Sequence, residues 1–166
     1  EDQFLLQNEV AKLAALSGYG TITTEMVQTL GTVTLDADTF DMVKLVCAGN
    51  TRQALRKLQT LLELQNDPIL ITGALIGNYL DLYRTCLAKK SRRTLGDVAK
   101  DFRYTGKWNY RLGNAEQAAS RMSRPQIEQS LKILQKLDLE LKSSKLDQEI
   151  LLQKALCELT LARRSL

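Results

Sequence analysis

The sequence has no histidine, and its 166 residues include three cysteines and two prolines. Without histidine the commonest general base is missing, as is every nucleophile arrangement that pairs serine or cysteine with histidine. The cysteines Cys47, Cys86 and Cys157 lie far apart in sequence and form no Cys-x-x-Cys motif, which argues against a zinc site. We predict that all three are buried, reduced thiols of a cytoplasmic protein.

Long apolar runs and phosphate-binding loops are also missing from the sequence. The longest apolar run, from Ile69 to Leu80, is too short to cross a bilayer and contains Asn78, so we expect no membrane association. No Gly-x-x-x-x-Gly-Lys-Ser/Thr loop is available to hold a triphosphate, and we expect neither ATP nor any other cofactor. The first residue is Glu1, without a signal segment, which suggests a piece of a longer protein.

The composition that remains is typical of a helical protein. Hydrophobic residues make up 44% of the chain, charged residues 25% and aromatic residues 5%, which favours a leucine-rich all-α fold. The net charge of +4 is unevenly distributed. Residues 1–41 contain seven acids and one base, whereas residues 89–124 contain ten bases and three acids. The basic character is therefore local.

Apolar periodicity divides the chain into helices. Capping residues support helix starts at Thr23, Asp67, Thr94 and Ser123. The predicted helices cover 4–17, 23–30, 38–48, 51–62, 67–89, 94–117 with an internal turn, 123–145 and 147–164. Residues 31–38 are polar and β-branched with no helical period, so we predict a linker and a domain boundary there. The last helix is apolar nearly all round and must be covered on most sides.

The helix over 123–145 carries a carboxylate within its apolar stripe. Asp138 falls among leucines and isoleucines when residues are spaced by 100°, and Lys142 follows one turn later. A carboxylate in that position is expected to be half buried or paired. We predict a structural or interface ion pair between Asp138 and Lys142, and we do not expect catalysis there because the rest of the arc is lined by leucine.

Two interpretations fit the passage from 94 to 117. A short helix, a turn and a basic second helix have the order of a DNA-binding helix-turn-helix. In that case the outward residues at the start of the second helix would be Lys107, Asn109, Tyr110 and Arg111. The other interpretation is packing within a helical domain, with Trp108, Leu112 and Ala115 facing inward. The candidate phosphate contacts in this basic region are Arg92, Arg93, Arg103, Lys107 and Arg111.

Three phrases resemble the delta subunit of the bacterial DNA polymerase III clamp loader. The last helices carry the family's leucine–aspartate–apolar–lysine pattern at Leu137, Asp138, Leu139, Leu141, Lys142 and Ser143. An earlier phrase opens a helix with acid–phenylalanine–acid and leads through a glycine-polar turn to alanine–leucine, at Asp38, Phe40, Asp41, Gly49, Asn50, Ala54 and Leu55. A third resembles the end of an AAA+ lid, at Ile22, Thr23, Glu25 and Val27.

The resemblance implies two domains and an assembly role. Residues 1–33 would be the last helices of an AAA+ lid, and residues 36–166 the helical collar domain. In that family five collars form a ring that holds the loader together, so the implied partners are the motor (gamma/tau) and delta-prime subunits. The sliding clamp would be contacted through an N-terminal domain missing from this fragment, and DNA indirectly or weakly. The fragment would be non-catalytic, although its parent complex is a DNA-directed DNA polymerase.

Two other functions stay open from the sequence. One is a DNA-binding module that uses the helix-turn-helix passage, and the other is an unrelated helical adaptor.

Overall fold

The computed structural model describes residues 2–163, except for the side chains of residues 2–6, 8, 9 and 28–34. Across those residues the chain is helical and contains no β-strand, which confirms the predicted all-α fold. The helices are α1 (Asp2–Leu16), α2 (Thr24–Cys47), α3 (Thr51–Glu63), α4 (Pro68–Lys90), α5 (Leu95–Asp101), α6 (Trp108–Ala119), α7 (Arg124–Ser143) and α8 (Gln148–Ala162). No helix in this part of the chain has the length and apolarity needed to span a bilayer.

Side-chain caps define several helix starts, as the sequence predicts. Ser123 and Gln126 form a reciprocal capping box at α7, and Thr94 and Asp97 form another at α5. Asp67 accepts a hydrogen bond from the backbone of Ile69 at the start of α4. Each cap satisfies amide groups that the first turn leaves unpaired.

The predicted linker over 31–38 is wrong, because α2 continues through it as far as Cys47. Buried residues at helical spacing begin within the segment at Leu35 and continue beyond it at Thr39, Met42, Val43 and Val46. Threonine, valine and glycine lower helix propensity by about 1 kcal/mol or less per residue, which burial of such a stripe readily offsets. The chain divides into two compact units between Ala37 and Asp38.

The first unit contains α1 and the beginning of α2, joined by a turn at Ser17–Gly20. The hydroxyl of Ser17 donates to the carbonyl of Ala14, and Gly18 and Tyr19 both have positive φ angles. Large apolar side chains of this unit are well exposed: Val10, Leu16, Tyr19, Ile22 and Val27. The apolar residues Phe4 and Leu5, at the start of the first predicted helix, lie outside the described side chains.

The second unit is a helical bundle around α4, whose main neighbours are α7 and α6. Helix α4 runs antiparallel to α7, because Tyr79 lies beside Ser130 while Tyr83, one turn later, donates to Glu128 earlier in α7. Helix α8 returns antiparallel to α7, since Gln126 at the start of α7 donates to the carbonyl of Arg163 just after α8. The fully buried core side chains include Met42, Leu58, Leu61, Ile71, Tyr79, Leu82, Leu112, Ile127, Leu134, Leu152 and Leu156.

Helix α3 packs along α8 with its start beside the end of that helix, because Gly49 lies against the guanidinium of Arg163. The helix directions therefore give the bundle two distinct ends. At one end lie the C-terminus of α3, the N-terminus of α4 and the α7–α8 connection. The other carries the finish of α4 together with α5 and α6.

Candidate functional site

The predicted pair Asp138–Lys142 is formed on the surface of α7. The Lys142 Nζ donates to Asp138 Oδ2 at 2.7 Å, with the lysine side chain 59% exposed and the aspartate side chain 34% exposed. The apolar stripe itself is buried as expected at Ile127, Ser130, Leu134 and Leu141. Asp138 lies at the edge of that stripe, so solvent and the ammonium group together stabilise its charge.

A second set of exposed charges lies on the opposite flank of α7 and on α8. Glu140 lies 3.7 Å from Lys136 on its own helix and 3.7 Å from Lys154 on α8. Lys154 also lies 3.9 Å from Glu158. Exposed pairs of this kind contribute little to stability individually, but they define the polar face between α7 and α8.

The candidate phosphate contacts fall into two groups. Arg93 is engaged with Asp101 at 2.7 Å, and Arg111 with Asp81 at 2.5 Å. Arg92, Arg103 and Lys107 are exposed, and the described side chains provide no ion pair for them. Arg92 and Arg103 both have positive φ angles in the connections that follow α4 and α5. The structure thus leaves three of the five predicted residues accessible to a ligand anion.

The helix-turn-helix passage forms as α5, a turn and α6, and its inner side is well packed. Leu112 joins Ala88, Val98 and Ala99 in a buried cluster, against which Leu95, Tyr104 and Trp108 pack. Tyr110 is 75% exposed at the start of α6. Arg111, expected to face outward on a recognition helix, instead reaches back to α4. This arrangement favours the packing interpretation.

A buried carboxylate on α4, Asp81, is the most constrained polar group in the bundle, and the sequence analysis missed it. Asp81 is 1% exposed, and its two oxygens have different partners. The Tyr104 hydroxyl donates to Oδ1, and the Arg111 Nε donates to Oδ2 at 2.5 Å. The Arg84 Nη1 lies 3.5 Å from Oδ1 and donates to the Tyr104 oxygen at 2.7 Å.

Aromatic rings surround the guanidinium groups of this network. Arg84 lies 4.1 Å from the centre of the Phe102 ring, and both Arg84 and Arg111 lie 5.6 Å from the centre of the Tyr104 ring. Burial raises the pKa of the Tyr104 hydroxyl, and its hydrogen bond to the Asp81 carboxylate raises it further. Two cations around one carboxylate leave the network positively charged, and it ties α4 to α5, α6 and their connecting turn.

A signal for Asp81 was present in the sequence. It lies between Leu80 and Leu82 in the apolar face of a long helix, and a carboxylate in such a place requires partners. The identity of those partners could not be derived from helical spacing, because Tyr104 and Arg111 lie 23 and 30 residues further along the chain.

The cysteine thiols are candidate reactive groups, and one of them, Cys47, lies in the interior at the end of α2. The Cys47 thiol is buried, and burial raises its pKa from 9.0 to about 12, against the lowering effect of Arg163 and Arg121. Its sulfur lies 3.4 Å from that of Met122. Cys86 and Cys157 are free and half-buried. A thiol with so high a pKa is a poor nucleophile, so Cys47 acts as a packing residue.

Exposed apolar side chains gather at the end of the bundle opposite to α5 and α6. They are Leu64, Ile69, Leu70, Leu139, Leu146 and Ile150, and each exposes at least 42% of its surface. We call this set the apolar end. The last helix was expected to be covered on most sides, and the exposure of Ile150 shows that the bundle leaves part of α8 uncovered. Exposed apolar side chains concentrated at one end of a bundle are typical of interaction surfaces.

Comparisons with known proteins agree with this architecture. The family "DNA polymerase III delta subunit, C-terminal domain" matches residues 36–159. Among solved structures, the Bacillus subtilis DNA clamp loader delta protein (YqeN) is similar in fold, with a TM-score of 0.72 and 21% sequence identity. That similarity covers 92% of this chain and 44% of the Bacillus protein, so the chain spans less than half the length of this relative. No curated protein matches the sequence.

The family match begins in α2 at Asp36, two residues before Asp38, and ends in α8 at Leu159. It includes the helical bundle up to Leu159, with the Asp81 network and the apolar end. On this evidence the chain belongs to the family of C-terminal domains of the DNA polymerase III delta subunit.

Proposed function

We propose that this chain is a non-catalytic assembly module of a clamp loader, and that its second unit is the collar domain of a delta subunit. The observation that carries the proposal is the family match over residues 36–159. The fold shared with the Bacillus clamp loader delta protein supports it. In this role the bundle is a rigid body that holds neighbouring subunits together, and the loading of the sliding clamp onto DNA depends on that assembly.

The apolar end supports a specific location for the contacts with neighbouring subunits. Its six side chains come from three helices and from the α3–α4 and α7–α8 connections, as expected for a patch that a second helical bundle covers. Buried apolar area contributes about 25 cal/mol per Å², and the charged rim sets specificity. The exposed ion pair Asp138–Lys142 flanks Leu139 of this patch in the sequence of α7. The proposed partners are the motor (gamma/tau) and delta-prime subunits.

The first unit is proposed to be the end of an AAA+ lid domain. Its two helical segments and its exposed apolar side chains, such as Leu16 and Ile22, are consistent with a part of a small helical domain. The sliding clamp is not expected to bind these 166 residues, and DNA is expected to contact them weakly through phosphate. A bacterial cytoplasm is the location that this role implies.

An association assay tests the proposal. The chain is titrated against purified motor and delta-prime subunits by size-exclusion chromatography and calorimetry, and we expect complexes at micromolar concentration. The variants Leu139→Asp and Ile150→Asp should weaken association by at least about tenfold, because each places an unpaired charge in the apolar contact. Failure of the wild-type chain to associate, or tight binding to the clamp itself, contradicts the proposal.

The matched control is Tyr110→Asp. The Tyr110 side chain is more exposed than any side chain of the apolar end, but it lies at the start of α6, at the other end of the bundle. Its replacement by aspartate should leave association unchanged. Circular dichroism of each variant distinguishes a lost contact from a lost fold.

A further inference from the structure

A cleft of about 460 Å³ lies between the C-terminal part of α4 and the helix α5. The proposed collar role does not use this cleft. Its floor is aliphatic and is formed by Leu80, Leu87, Ala88 and Val98. Phe102 forms one wall and is 51% exposed. Apolar surface of this kind is unfavourable in water and is stabilised when a ligand covers it.

The shape and chemistry of the floor favour aliphatic side chains. Leucine, isoleucine or methionine side chains fill a narrow aliphatic cleft between two helices, which is the helix-in-groove form of peptide recognition. A nucleic acid base requires an aromatic surface for stacking. Two aromatic side chains, Tyr83 and Phe102, line the cleft. The Arg84 guanidinium already covers the Phe102 ring, 4.1 Å from the centre of the ring.

Positive charge surrounds this floor. Arg84 and Arg93 line the cleft, as does Ser91, which lies between the α4 residues Lys89 and Lys90 and the connection residue Arg92. The nearby carboxylates are already used within the domain. Asp101 is paired with Arg93 at 2.7 Å, and Asp97 accepts hydrogen bonds from Thr94 in the capping box. Arg84 and Arg93 are likewise engaged within the domain, so the surplus of positive charge beside the cleft comes from Lys89, Lys90 and Arg92. This surplus attracts acidic groups.

We propose that the α4–α5 cleft binds an acidic amphipathic peptide segment of another protein. Aliphatic side chains of the segment lie on the floor between α4 and α5. Carboxylates on either side face the cations of the rim and of the α4–α5 connection. This proposal does not depend on the collar role, because the cleft and the apolar end lie at opposite ends of the bundle.

The test uses a fluorescein-labelled peptide with leucines at helical spacing and glutamates between them. Its binding to the full 166-residue chain is followed by fluorescence anisotropy. Two matched peptides accompany it, one with lysine in place of glutamate and one with serine in place of leucine. We expect the acidic leucine peptide to bind, and both matched peptides to bind at least about tenfold more weakly. Equal binding of the lysine peptide overturns the proposal.

Variants of the chain locate the site. Phe102→Asp should weaken peptide binding by at least about tenfold, because it removes the wall and adds a repelling charge. Phe102→Ala removes the wall alone and should weaken it less. The control is Leu139→Asp, at a side chain of similar exposure (60%) on the apolar end, which should bind the peptide like the unmodified chain. Unchanged binding by both Phe102 variants, each shown to be folded, overturns the proposal.

Two further outcomes also overturn it. One is a single-stranded oligonucleotide that binds more tightly than the acidic peptide and displaces it, which would make the cleft a nucleic-acid site. The other is a concentration-dependent dimer of the chain that Phe102→Asp abolishes while the peptide fails to bind. The proposed function is judged separately, since Phe102→Asp should associate normally with the motor subunits and Leu139→Asp should not.

Discussion

Arg111 donates from its Nε to the Oδ2 of Asp81 at 2.5 Å, and this contact joins two helices across 30 residues of sequence. Asp81 is buried, whereas the Arg111 side chain is 47% exposed. The carboxylate of this pair is therefore held in the interior, whereas the guanidinium is partly in contact with solvent. Tyr104 and Arg84 complete the set of groups around the carboxylate, and no other ion pair among the described residues has so deeply buried a member.

Removal of the Asp81 carboxylate should destabilise the bundle strongly. Asp81→Ala leaves the Tyr104 hydroxyl and the Arg111 Nε without their acceptor and removes the carboxylate beside Arg84. We expect a loss of about 3 to 5 kcal/mol in the free energy of unfolding. Urea melts of the chain measure it. The control is Asp101→Ala, which removes the exposed partner of Arg93 and should cost about 1 kcal/mol or less. Equal costs for the two variants would contradict the structural role of the buried network.

The pair Asp138–Lys142 should behave in the opposite way. Both side chains are in contact with solvent, so Asp138→Ala should lower the free energy of unfolding by less than about 1 kcal/mol. A double-mutant cycle with Lys142→Ala measures the coupling between them, which should lie near about 0.3 to 0.5 kcal/mol for a pair one turn apart on a helix. A cost of several kcal/mol for the single variant would mean that the carboxylate is buried.

The contrast between these two aspartates explains what the sequence could predict. Asp138 and Lys142 lie one turn apart, so helical spacing alone predicts their contact. Their exposure depends on how α8 packs beside α7, which no local pattern specifies. Asp81 finds its partners on α6 and in the turn before it, and those contacts arise only when the bundle forms.

Helix caps and buried stripes were predicted well because they also follow from the spacing of residues along one helix. Ser123 and Gln126 interact within one turn, as do Thr94 and Asp97. The linker over 31–38 was predicted wrongly because its threonines and valine have low helix propensity, although the stripe from Leu35 to Val46 already had helical spacing. Tertiary burial of that stripe outweighs local preference. The apolar end was also invisible in sequence, since its residues come from distant positions that only the helix directions bring together.

Stability should decrease in alkaline solution because of Cys47. Its pKa is raised by burial from 9.0 to about 12, so the folded state favours the neutral thiol. The associated stability is complete below about pH 9, where the unfolded chain also keeps its thiol protonated, and is lost as the pH rises toward 12. Burial likewise raises the pKa of the Tyr79 hydroxyl, which acts in the same direction. Urea midpoints measured from about pH 8 to about pH 11 should fall progressively.

The variant Cys47→Ala isolates this contribution. The variant should be less stable at neutral pH because it leaves a cavity, yet its stability should fall less steeply with pH. The matched control is Val46→Ala, at a neighbouring buried side chain without an ionisable group, which should keep the slope of the unmodified chain. Identical slopes for the two variants would show that the thiol does not ionise on unfolding in this range.

The last prediction concerns DNA and the three accessible cations Arg92, Arg103 and Lys107. Contacts with phosphate alone predict weak binding without sequence preference, and its affinity should fall steeply with salt. The combined variant Arg92→Gln, Arg103→Gln, Lys107→Gln should lower the slope of log K against log salt by about 2 to 3 if each residue neutralises one phosphate. Fluorescence anisotropy with labelled duplexes of unrelated sequence measures both quantities. A control with equal loss of charge on α7 and its C-terminal connection, at Lys132, Lys136 and Lys145, should change the slope less, because those residues lie outside the basic segment. Sequence-selective binding that survives moderate salt would require base contacts, and it would restore the helix-turn-helix interpretation despite the attachment of Arg111 to Asp81.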